Sequence, residues 1–197
     1  MTIDVEPLRG PDLPSGRTGL RRRDVAIPRI IERAAVREIL MGAQDNLTNV
    51  LAVMLGVSIG SGRTDLVALA CISAAVAEAV SMGGVLYSST RAGKNHDRVH
   101  GDLTEVAGRL TPSQSGFTTF VAALIAGLIP LAPFAWLPLH AAVIVSLAIS
   151  VLALFALGSW TGKISGGVWW RDGLRLLLVA GIAAFAAAAV GTTLRVA

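Results

Sequence analysis

Five long apolar blocks dominate the chain, at residues 39–60, 66–89, 117–137, 139–160 and 173–194. Each supplies the roughly 20 residues that a helix needs to cross the hydrocarbon core of a bilayer. The apolar residues are contiguous; they neither trace one face of a helix nor alternate as in a half-buried strand. Pro130 and Pro133 in the third block, and Pro138 at its end, predict a kinked or unwound helix terminus. The link to the fourth block is then very short, so those two helices are antiparallel neighbours. The pattern predicts an all-α integral membrane protein with five transmembrane helices.

Ahead of the first block the pattern changes twice. Residues 1–26 are rich in Pro, Gly and Arg, lack periodicity and are expected to be disordered. No apolar core follows their charges as a secretory signal requires. From there on, Ile27, Ile30, Ile31, Ala34 and Ala35 recur at helical spacing, with Arg29, Arg33 and Arg37 four apart on another face. That spacing predicts an amphipathic helix on the membrane surface; a plain basic topogenic arm is the alternative. The expected organisation is a basic arm over 1–37, helices 1 and 2 over 38–90, a short polar loop over 91–116, and helices 3 to 5 over 117–194.

Composition agrees with a bilayer as the main partner. The 197 residues are 53% hydrophobic and 15% charged, with a mean hydropathy of +0.65; soluble domains carry about 25% charged residues. An isoelectric point near 10.2 does not imply nucleic acid here. The basic residues sit beside the spans, where anionic lipid and the insertion machinery account for them. Of the 17 Lys and Arg residues, only Arg63 and Arg195 fall on the side opposite the N-terminal arm. The positive-inside bias therefore places the N-terminus in the cytoplasm and the C-terminus outside. Trp136, Trp160, Trp169 and Trp170 fall at predicted helix ends, where indole rings prefer to sit. Cys71 is the single cysteine, so an internal disulfide is excluded.

The spans differ in polarity. The first holds Gln44, Asp45, Asn46, Thr48 and Asn49, and the second Ser73, Glu78, Ser81, Met82 and Tyr87, while the fourth and fifth carry little. A carboxylate at the centre of a membrane helix costs about 2.5–3.5 kcal/mol on insertion scales and more by other estimates. Asp45 is therefore expected to face a bundle interior and mark an ion or proton path. The alternatives are that it lies at the headgroup level, solvated or paired with Arg37, and that the hydroxyls and amides merely knit helices together. Glu78 and Met82 are one turn apart and share a helical face. In the connection after the second span, His96 and His100 are four apart with Asp97 beside them, and Asp102 and Glu105 follow. Imidazole and carboxylate at that spacing suit a divalent metal, although a polar membrane loop also carries such residues without binding one.

These residues lie in segments that point to a family. The segment REILMGAQDNLT at 37–48 resembles the first-helix signature of the vacuolar iron transporter family, an R-(E/D)-I-(I/V)-x-G-x-x-D-G-L pattern. AVSMGGVLYSS at 79–89 is similar to its second-helix segment. GLIPLAP at 127–133 resembles its G-x-x-x-P-L-x-P turn, and Gly162-Lys163 with RDGLRLLLVAG at 171–181 resembles its last loop and helix. The resemblance implies a five-helix homodimer that exports Fe(II), and often Mn(II), from the cytosol in exchange for protons along a path formed by the first two helices. It implies Asp45 and Met82 as the intramembrane aspartate and methionine of that path. A carboxylate binds a first-row dication and exchanges it for a proton, and a soft thioether favours Fe(II) over Mg(II). The metal is cargo, and no permanently bound cofactor is expected.

Two features depart from the family pattern. Leu86 precedes Tyr87 where many relatives carry an acid, and Glu78 lies earlier in the helix at a position usually small. The connection after the second span is too short for the glutamate-rich metal-capturing domain of vacuolar members. His96, Asp97, His100, Asp102 and Glu105 amount to a reduced version of it. The sequence thus predicts a multi-pass transporter, in a plasma membrane if bacterial and an organelle membrane if eukaryotic. A transport-inactive scaffold of the same fold is the alternative. A membrane enzyme built on His96, His100 and Asp97 lacks a nucleophile or a complete metal site.

Overall fold

The computed structural model describes residues 20–99 and 110–194, with side chains described at 36, 38–96 and 110–194. The helices are α1 (Leu20–Ser61), α2 (Thr64–Val99), α3 (Pro112–Leu128), α4 (Leu139–Ile164) and α5 (Trp169–Thr193). A 3-10 segment, Ile129–Ala135, extends α3. Among the described residues there is no strand.

Two helices are longer than their apolar blocks. α1 runs for 42 residues, about 63 Å, so the stretch read as a separate amphipathic helix is continuous with the first span. Residues 20–26, expected to be disordered, form its first turns, and residues 1–19 lie outside the described residues. α2 continues past residue 89 to Val99, so the polar stretch expected as loop begins as helix. Nothing between Thr64 and Val99 interrupts it, since no proline occurs there.

The breaks fall where backbone chemistry demands them. Gly62 joins α1 to α2 at φ 63°, and Gly166 joins α4 to α5 at φ 73°, a left-handed conformation that glycine adopts without penalty. Arg63 pairs with Asp65 at the first of these turns. Thr111 caps α3 by accepting from the Gln114 backbone N–H, Gln114 returns the bond, and Pro112 opens the helix. At its far end Pro130 and Pro133 are buried in the 3-10 segment. The missing proline N–H groups end the α ladder there, as the sequence predicts.

α1 is the centre of the bundle and packs against all four other helices. Its Leu47, Val50, Leu51 and Met54 meet Val67, Cys71 and Ala75 of α2, with Leu154 of α4 and Ala180 of α5 closing the core. Leu69, Ile72 and Val80 of α2, Ile144 and Leu152 of α4, and Leu178, Ile182 and Phe185 of α5 are exposed. So large an apolar exterior is unstable in water and matches hydrocarbon. Four helical segments are long and apolar enough to cross a membrane: Thr64–His96, Pro112–Ala135, Leu139–Ile164 and Trp169–Thr193. α1 has the length, but its polar run at 44–49 lowers its hydropathy. The protein is an all-α, multi-pass integral membrane protein.

The α1–α5 seam depends on glycine. A Cβ on Gly56 would lie 2.9 Å from the Ala187 carbonyl oxygen, which is backbone and cannot rotate away. Gly56→Val is therefore expected to destabilise the bundle by about 1–3 kcal/mol, read as earlier thermal unfolding of the detergent-purified protein. An unchanged melting curve would show that this seam is not close-packed.

Candidate metal site between the first two helices

α1 and α2 form an antiparallel hairpin whose register is set by side-chain contacts. Asn46 Nδ2 donates to the Ala75 carbonyl at 3.0 Å, and Cys71 Sγ approaches the Val50 carbonyl at 4.0 Å. In this register Glu78 lies beside Asp45 and Asn49 and interacts with both side chains. One turn towards the basic end, antiparallel stepping brings Met41 of α1 level with Met82 of α2. Asp45, expected to face a bundle interior, is instead exposed with Met41 on the flank of the bundle, because Asn46 and Leu47 take up the buried side of α1; Asn49, Glu78 and Met82 are half-buried. The group therefore lines an open groove rather than a closed cavity.

Asp45 lies 16 residues before Ser61, the last residue of α1, about 24 Å along the axis. With Ser61 at one edge of a hydrocarbon core about 30 Å thick, Asp45 would fall inside it, nearer the basic end. Two carboxylates side by side repel when both are ionised, and hydrocarbon penalises each charge. A dication neutralises both, and so does proton uptake. The pair is thus chemically suited to exchange one for the other.

Sequence pattern alone does not single out Asn49 or Met41. The signal is their four-residue spacing from Asp45 on either side, which puts all three on one helical face. Gln44, also polar and also in α1, faces elsewhere. Its Nε2 donates to Thr161 Oγ1 of α4 at 2.6 Å, so it joins helices and takes no part in the groove.

A family model described as the VIT family matches residues 36–108 and 98–192. The chain belongs to the VIT family. The resemblance to vacuolar iron transporters is thereby established, and VIT membership points to a metal-ion transporter rather than an enzyme. No curated protein matches the chain.

The VIT match includes the whole Asp45, Glu78 and Met82 groove. Leu86 lies on the Glu78 side of α2, two turns nearer the basic end, and is half-buried. His96 is exposed in the last turns of α2, about 27 Å along the axis from Glu78, and is therefore remote from the groove. The side chain of Asp97, and residues His100, Asp102 and Glu105, lie outside the described residues. Among the described residues no cluster of three or more His, Cys, Asp or Glu side chains is present. In one chain the side chains gathered here are two carboxylates, with an amide and two thioethers alongside.

Proposed function

We propose that the protein exports Fe(II), Mn(II) or both from the cytosol in exchange for protons, along the groove between α1 and α2. The observation that carries this reading is the Asp45–Glu78 pair, two interacting carboxylates at hydrocarbon depth on an open helical flank. Met41 and Met82, one turn away, add soft ligands that favour Fe(II) over Mg(II). One such flank presents only two charged ligands, whereas first-row dications commonly take about four to six ligands in all. A second copy about a two-fold axis would double the set, so the working form is a homodimer with the two grooves facing. The basic end lies in the cytoplasm by the positive-inside rule. There His96, Asp97, His100, Asp102 and Glu105 gather metal ahead of the groove.

Uptake of Fe(II) and Mn(II) into liposomes carrying the purified protein, with a pH-sensitive dye reporting proton counterflow, tests this reading. Absence of uptake for both ions would leave the transport-inactive scaffold, which the Leu86 position favours. The thioethers make a separate prediction. Replacing both Met41 and Met82 with Leu is expected to lower the preference for Fe(II) over Mn(II) about tenfold, a difference of about 1.4 kcal/mol, while Mn(II) transport persists. Equal losses for the two ions in competition uptake would exclude a thioether role in selection.

A further inference from the structure

Asn46 directly follows Asp45 but points the other way. It is completely buried, at the meeting of α1, α2 and α3. Its Nδ2 donates to the Ala75 carbonyl of α2 at 3.0 Å and to the Ala123 carbonyl of α3 at 2.8 Å. Bare backbone confines the same amide on another side. A Cβ on Gly127 would lie 2.8 Å from Nδ2 and 2.9 Å from Cγ and Oδ1. In hydrocarbon an amide that loses its partners finds no water to replace them, so this side chain is a fixed point shared by three helices.

That fixed point has a geometric consequence for the groove. Successive helical residues are about 100° apart, so holding Asn46 in the seam sets the direction in which Asp45 projects. Ala75 lies three residues before Glu78, less than one turn, so the bond to its carbonyl also sets the height of α1 against the Glu78 level. We propose that Asn46 is a positioning residue for the metal groove: its amide clamp sets the separation of the Asp45 and Glu78 carboxylates and hence the affinity for the ion. The inference rests on the reading of that pair as the metal site.

The test uses the full-length purified protein. Mn(II) affinity is read from the paramagnetic resonance of the free ion, coordination from the ligand-field absorption of bound Co(II), and KM and kcat from liposome uptake. Asn46→Ala is expected to raise the Mn(II) Kd and KM about 10-fold or more, the usual cost of losing a residue that orients a metal ligand. The Co(II) spectrum should change, and kcat per folded protein should fall less than KM rises. Gly127→Ala presses on the same amide, so it should raise KM alone but add nothing in the Asn46→Ala background. If Asn46→Ala does not fold, Gly127→Ala carries the test through the same readouts. Unchanged Kd, KM and Co(II) spectrum, with activity falling only as the folded fraction falls, would overturn the proposal. So would a Gly127→Ala effect of equal size in both backgrounds. Wild-type protein that binds Mn(II) without transporting it would end the transport reading alone. Wild-type protein that binds none would end both.

Discussion

Asp45→Asn is expected to abolish metal transport, a loss of about 100-fold or more, while leaving the protein folded. The size of the loss follows from what the amide cannot do. It keeps the shape of the carboxylate but neither neutralises a dication in hydrocarbon nor takes up and releases a proton. The folding expectation follows from position. Asp45 is exposed on the groove and outside the apolar core, and its charged neighbour is Glu78, a like charge. Removing one member of a repelling pair relieves the fold, so the melting temperature should hold or rise. Liposome uptake and thermal unfolding measured on one preparation check both halves. Full uptake by the Asn variant would remove Asp45 from the path. Loss of uptake accompanied by early unfolding would make it a structural residue.

Four of the five helices were legible because a membrane span announces itself by length and apolarity together, whereas α1 is long but is not among the segments that meet both conditions. The proline-rich end of α3 was legible for a local reason, the missing N–H groups of Pro130 and Pro133. The continuity of α1 and the extension of α2 to Val99 were not. Hydropathy falls where a helix leaves the hydrocarbon, whereas its hydrogen-bond ladder continues until something breaks it. Within the groove, the expectation that Asp45 faces a bundle interior failed, since it is exposed on the flank, while one-turn spacing joined Glu78 to Met82. The roles of Gln44, Asn46 and Asn49 were not separable from sequence. All three are amides on the same two turns, yet one bonds Thr161, one clamps α2 to α3, and one faces Glu78. Which amide does which depends on the rotation of α1 among its neighbours, a tertiary property that composition does not carry. Met41 was missed because a methionine in an apolar run is ordinarily core; only its level opposite Met82 distinguishes it.

Glu78→Gln should cost transport about as much as Asp45→Asn, and an acid restored at the family position should not rescue it. One ion bound by two carboxylates needs both at metal–oxygen distances of about 2.0–2.6 Å, so its ligand atoms lie within a few ångströms of each other. Glu78 meets this requirement by interacting directly with Asp45. Leu86 is eight residues farther along α2, about 12 Å along the axis, which exceeds the reach of a glutamate back to the Asp45 level. Glu78→Ala combined with Leu86→Glu should therefore remain as inactive as Glu78→Ala alone, although it carries as many carboxylates as the wild type. Uptake of Mn(II) by the single and combined variants, normalised to folded protein, separates the possibilities. Recovery in the combined variant would mean that the ion is held nearer the basic end, between Leu86 and the Met41–Met82 level. Asp45 would then serve the proton rather than the metal. Continued inactivity would make Glu78 the partner acid of Asp45.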